Sequence, residues 1–168
     1  VLGAFLFGVV VTLIKRPAFN MTSFLLAMVA GAAWVVGQCG QYYSYSKIGV
    51  SETMPLSTGL QLIGVPLVGV LIFGEWASTQ AKLFGFLGIL ALVVGVAFTS
   101  LTDKGTAEGN KQNQTSTMII LALTTLGYIT SSSIPKALKG DGVMIFLGQT
   151  IGMMIATLIY FVATKQLK

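Results

Sequence analysis

Long stretches of this sequence carry no charge at all. No aspartate, glutamate, lysine or arginine falls in the middle of any of six apolar runs. The ten lysines and arginines sit between the runs or at their edges, which is where membrane proteins keep charge. A soluble domain has about 25% charged residues, whereas here 9% are charged and 54% hydrophobic. Such a chain cannot cover its surface with polar groups in water, so it must meet lipid. Several long runs predict a multi-pass protein of the cell membrane and exclude a single anchor.

The first run, Val1 to Ile14, stops at Lys15-Arg16-Pro17. The second covers Ser23 to about Tyr45, closed by Lys47-Ile48-Gly49, and the third runs from Thr53 to Phe73-Gly74-Glu75-Trp76. The fourth spans Lys82 to Leu101, the fifth Met118 to about Ile134 before Pro135, and the sixth Val143 to Ala163. In lipid a helix satisfies its own backbone, and barrel strands would alternate in period two. The expected fold is therefore all-α, a polytopic transmembrane helix bundle. The polar stretch from Thr102 to Thr117 reads as a flexible linker. At about 1.5 Å per residue the first run reaches roughly 21 Å, short of a hydrocarbon core of about 30 Å. It reads as a helix cut at its start, and the chain as part of something longer. It has neither a basic n-region nor a cleavage site, so it is no signal peptide. With six crossings the basic residues divide five and five between the two sides, and the positive-inside bias does not orient the chain.

Composition also removes whole classes of function. The chain has no histidine and one cysteine, Cys39, and its five acidic residues form no metal-ligand spacing. Neither a metal nor a cofactor is expected. Ser57 and the Ser131 to Ser133 run have no histidine or carboxylate nearby, so an enzyme is not expected either. The net charge of +5 is not gathered into a continuous basic face, which excludes nucleic acid as a partner.

Polar side chains at membrane depth carry the functional signal. Trp34, Gln38, Gln41, Tyr42 and Tyr45 share one helical face. Two carboxamides and three aromatics on one stripe are costly against lipid tails and must face other helices or a watery cavity. Such amides can act as glue between helices. They can also line a site for a polar, uncharged ligand, since an amide matches a hydroxyl as donor and acceptor while an aromatic face packs on C–H surface. Thr53, Ser57 and Gln61 recur at helical spacing in the third run, with Thr58 beside them, and Pro66 should kink that helix. Thr124, Tyr128, Ser131 and Ser132 form a stripe in the fifth, although serine and threonine often bond back to their own helix. In the sixth run, Gln149 and Thr157 lie near Gly148, Gly152 and Ala156, which read as helix packing. Phe84 to Phe98 has no polar side chain and suits a lipid-facing or packing position. No carboxylate lies in mid-membrane, which favours a neutral ligand.

The stretch Gly49-Val50-Ser51-Glu52-Thr53-Met54-Pro55-Leu56-Ser57-Thr58-Gly59-Leu60-Gln61-Leu62, with Phe73-Gly74-Glu75-Trp76 after it, resembles the glucose uptake protein family of Gram-positive bacteria. Trp34-Val35-Val36-Gly37-Gln38 and Gly95-Val96-Ala97-Phe98-Thr99-Ser100-Leu101 resemble the flanking helices of that family. The resemblance implies the drug/metabolite transporter superfamily and its ten helices in two inverted five-helix repeats. Residues 1–101 would then be most of the first repeat without its first helix, 102–117 a linker, and 118–168 the start of the second. It further implies alternating-access symport of a monosaccharide, with the sugar, the bilayer and protons as partners. Gln38, Gln41, Tyr42, Ser57, Thr58 and Gln61 would line the cavity, joined by Tyr128 and Gln149, with Trp34 stacking on the sugar. Any ion coupling would fall to Glu75 or Glu52, and Glu75 beside Trp76 also reads as an interfacial anchor. Export of metabolites or drugs is the alternative within transport. A membrane sensor that binds the same ligand without flux is the alternative from another class.

Overall fold

The computed structural model describes residues 1–76, 78–102 and 111–164, and for 99–102 and 111–113 the backbone only. The described residues form α1 (Leu2–Lys15), α2 (Met21–Ile48), α3 (Val50–Phe73), α4 (Thr79–Thr102), α5 (Lys111–Ala137) and α6 (Gly142–Ala163), with no strand among them. Five of these helices are long and apolar enough to cross a membrane, while α1, at 14 residues, is shorter. Asp103, Lys104 and Glu108 of the expected linker, and Lys165 and Lys168, lie outside the described residues.

Helix ends differ from the apolar runs. The α5 helix begins at Lys111, taking in residues 111–117 that the polar composition assigns to the linker. Thr115 and Ser116 are exposed here, and polar side chains that can reach water beyond the hydrocarbon do not stop the backbone from continuing its hydrogen bonds. The same helix runs through Pro135 to Ala137. Likewise α3 is one helix across Pro55 and Pro66, where Pro66 removes the helical donor to the Leu62 carbonyl.

The chain divides into two compact units, residues 1–36 with 130–168 and residues 37–129. In the first unit α6 packs on both α1 and α2. Phe7 meets Phe146 edge-on, 6.2 Å between ring centroids, and Gly8 lies against Thr150 and Phe146. Between α2 and α6 the backbones touch. A Cβ on Gly31 would fall on the Gln149 carbonyl oxygen, and one on Gly152 on that of Met28. Gly148 meets Ala27 and Phe24 in the same way. This is the close approach that small residues permit in lipid. Asn20 and Asp141 accept backbone N–H groups in the first turns of α2 and α6, from Ser23 and Val143 at 3.1 and 2.8 Å, and Ser23 Oγ donates to the Lys139 carbonyl at 2.6 Å. A groove lined by Met28, Ala32, Gly152, Ile155 and Ala156 is apolar throughout and offers a sugar hydroxyl nothing.

In the second unit a single residue, Gly49, joins α2 to α3. Its φ of 82° is strained for any residue with a Cβ. Its N–H bonds the Tyr45 carbonyl, while its own carbonyl takes both N–H and hydroxyl of Thr53. Helix α4 packs on α3 through Val96 against Gly59, and Trp76 covers Gly85 and meets Phe86 edge-on at 5.4 Å. None of the most apolar window of α4 is buried, and Phe84, Leu87, Leu90 and Phe98 are exposed. An all-apolar helix with an open face suits either lipid or the packing of a further helix, the two positions that its lack of polar side chains allows.

Candidate functional site

The site is built where α5 comes close to α2 in the second unit. Gly37 and Gly40 make that approach possible, because a Cβ on either would strike the Tyr128 ring or Thr124. Tyr128 thereby reaches the polar stripe of α2, with 6% of its surface exposed. Its hydroxyl lies 2.9 Å from Gln38 Oε1 and 2.7 Å from Gln41 Oε1. A phenol has one proton and two lone pairs. It can donate fully to one amide oxygen only, so the other carboxamide is best satisfied with its N–H₂ turned to the phenol oxygen. The far end of Gln41 reaches α3, with Nε2 3.3 Å from Met54 Sδ. Tyr45, one turn on from Gln41, directs its hydroxyl at the same sulfur from 2.8 Å. Gln38, Gln41, Tyr45, Met54 and Tyr128 thus form one cluster drawn from three helices.

The remaining expected residues are placed differently. Ser57 is fully buried, and Gln61 donates to its hydroxyl and carbonyl at 3.2 and 3.3 Å, within α3. Thr58 is exposed. Tyr42 is 61% exposed and stacks at a tilt on Tyr45, centroids 5.9 Å apart. Trp34 is half-buried on α2, one turn before Gln38 and within the first unit. Gln149, also in the first unit, donates to the Ser131 carbonyl at 3.2 Å, the inter-helix glue that an amide in lipid can provide.

Most of the short hydroxyls bond close by along the chain, Ser23 excepted, whereas Gln38, Gln41 and Gln149 bond across helices and Gln61 bonds within its own. Ser44, Thr53, Thr124, Thr125, Thr150 and Thr157 each donate to a carbonyl three or four residues back, Thr53 to that of Gly49 just before α3 and the others on their own helix. Such bonds satisfy a short hydroxyl locally and leave it little to offer a ligand. Gln38, Gln41 and Tyr128 bond across helices and bring donors and acceptors together inside a span-length pair of helices. Among the carboxylates, Glu52 near the start of α3 has one oxygen, Oε2, buried with no hydrogen-bond partner. Glu75 follows the left-handed cap at Gly74, and its carboxylate lies over Gly69 on the last turns of α3. Among the described residues no group of three or more potential ligands gathers for a metal ion. Chemically the cluster offers uncharged donors and acceptors and no formal charge.

Sequence reasoning missed Met54. A methionine reads as apolar filling, and only the crossing of α2 and α3 shows that its sulfur receives two donors. Tyr45 was visible on the stripe, but its partner was not.

The sugar transport protein family matches residues 1–168, the whole chain. A Lactobacillus johnsonii protein, provisionally named a sugar uptake protein, is 65% identical over 99% of this chain and 58% of its own length. A glucose uptake protein of Bacillus subtilis is 35% identical over 94% of this chain and 55% of its own. A Latilactobacillus sakei protein, provisionally named for ribose uptake, is 35% identical over 94% and 54%. The chain therefore spans a little over half the length of these relatives. No solved structure matches it. With five span-length apolar helices and a family match along its whole length, the chain is a multi-pass membrane protein that belongs to the sugar transport protein family.

Proposed function

We propose that the protein takes up a monosaccharide, glucose or a sugar of similar size, by alternating access across the cell membrane. The observation that carries this reading is the Gln38–Tyr128–Gln41 cluster, polar but uncharged, held between helices long enough to span a bilayer. A sugar presents hydroxyls that both donate and accept, and carboxamides and phenols answer both needs without the desolvation cost of a charge. The names of the relatives, glucose uptake and ribose uptake, point to the same ligand class. In this reading Gln38, Gln41 and Tyr128 hold the sugar. Trp34, Tyr42, Ser57, Thr58, Gln61 and Gln149 contribute to the wall of the path. The family plan of two inverted five-helix repeats, with residues 1–101 and 118–168 in successive repeats, supplies the two states that alternating access requires.

Coupling to protons is assigned to Glu52 or Glu75. The buried oxygen of Glu52 without a hydrogen-bond partner favours it, since a buried polar atom left unpaired is costly. The test is uptake of labelled glucose, ribose and rhamnose by cells expressing the complete gene product, with and without a protonophore. Saturable uptake of one sugar is expected, lost in Gln38→Leu, with its protonophore sensitivity removed by Glu52→Gln. No uptake of any of the three, with the protein present in the membrane, overturns the reading.

A further inference from the structure

Two good donors in the cluster converge on one poor acceptor. Gln41 Nε2 and the Tyr45 hydroxyl lie 3.3 and 2.8 Å from Met54 Sδ, and a thioether sulfur accepts hydrogen bonds only weakly. The other end of the same amide is well bonded, since Gln41 Oε1 lies 2.7 Å from the buried Tyr128 hydroxyl. The shorter of the two phenol contacts takes the Tyr128 proton, so Gln38 is the amide that turns, and Tyr128 holds the Gln41 carboxamide with its N–H₂ directed at Met54. Gln41 is itself buried, so that N–H₂ has little water to turn to, while Met54 is 44% exposed. A methionine side chain is unbranched, with three rotatable bonds, and can withdraw at small cost.

We propose that Met54 Sδ stands where a substrate hydroxyl oxygen binds. In the empty site the sulfur keeps the Gln41 and Tyr45 donors aimed at one point. When a sugar enters, its hydroxyl oxygen, with two lone pairs, takes both donors and the methionine swings aside. Met54 thus sets how readily the site accepts a sugar hydroxyl, an assignment that rests on reading the cluster as the sugar site. A weak acceptor is what this role needs, because a strong one would compete with the ligand and an aliphatic group would leave the donors without a partner.

The experiment measures KM for labelled glucose in cells expressing the complete gene product as wild type, Met54→Leu, Met54→Gln and Gln41→Leu. Met54→Leu removes the acceptor at similar volume, so the empty site is less satisfied and KM falls about threefold or more. Met54→Gln supplies a strong acceptor that competes with the sugar, and KM rises about three- to tenfold. Lost packing alone would move both the same way. Met54→Ala and Met54→Asn carry the same opposed signs should either first choice fail to reach the membrane. Shifts in one direction, or none, overturn the assignment. Loss of uptake in Gln41→Leu with both Met54 variants at the wild-type KM leaves the sugar site standing and removes Met54 from it. Absence of uptake in the wild type overturns the transport reading and this assignment together.

Discussion

At the scale of single residues, the polar groups of this protein differ less in type than in where their partners lie. Tyr128 serves two amides on another helix, whereas Thr157 donates only to the Met153 carbonyl of its own helix, at 2.7 Å. Removing the first hydroxyl leaves Gln38 and Gln41 without their shared partner in a place where Gln41 is 8% exposed. An orphaned buried polar group costs about 1–3 kcal/mol, while removing a self-bonded hydroxyl removes donor and need together. Tyr128→Phe is therefore expected to lower the thermal stability of the detergent-solubilised protein by that amount and to abolish glucose uptake. Thr157→Val should stay within about 0.5 kcal/mol of wild type. Equal stability of the two variants would show that the cluster is not held as described.

Between elements, the glycines decide which helices can touch. Gly31 and Gly152 let the α2 and α6 backbones meet, each with the partner's carbonyl oxygen where its Cβ would go. No side-chain rotation can relieve that overlap, so the helices must separate, with loss of the contacts along the whole seam. Gly88 on α4 faces open space. There alanine meets nothing and gains helix propensity, about 0.5–1 kcal/mol in a helix interior. Gly31→Ala and Gly152→Ala should each reduce membrane accumulation and stability by more than about 2 kcal/mol, and Gly88→Ala should reduce neither. Unfolding by denaturing detergent, followed by far-ultraviolet circular dichroism, reads the difference. A Gly31→Ala variant as stable as Gly88→Ala would contradict the backbone contact.

For the whole molecule, the alternation of spans sets which ends share a side of the membrane. Crossing α3 separates Ser46, on the last turn of α2, from Ser78, before α4. Crossing α4 and then α5 would return the chain, so Asp141 is expected on the side of Ser78. In a Cys39→Ser background, an impermeant thiol reagent is expected to label Ser78→Cys and Asp141→Cys from one face and Ser46→Cys from the other. Labelling of Ser46→Cys and Ser78→Cys from the same face would mean that α3 does not span. Alternation follows from the number of spans, the five-against-five division of basic residues does not orient them, and the experiment supplies the orientation.

Membrane class, the six helices of the described residues and the apolar character of α4 were legible in the linear sequence. Hydrocarbon acts on each run separately, through hydropathy and the demand that every backbone group bond within its own segment. Helix ends were less legible: α5 starts at Lys111 and passes Pro135, because the water-facing edge of a bilayer tolerates polar side chains and an interrupted bond. The stripe of Gln38, Gln41 and Tyr45 could be drawn from spacing, and Tyr128 picked out as polar at depth. What Gln41 and Gln149 bond across helices could not, whereas Gln61 and Ser57 share a stripe that spacing alone shows. Gln41 meets Tyr128 and Met54, Gln61 meets Ser57, and Gln149 meets Ser131. These are three glutamines with one chemistry and three different surroundings. Hydropathy is a property of each residue, but hydrogen bonding is a property of pairs, and pairs far apart in the chain come together only through the packing of helices on glycine.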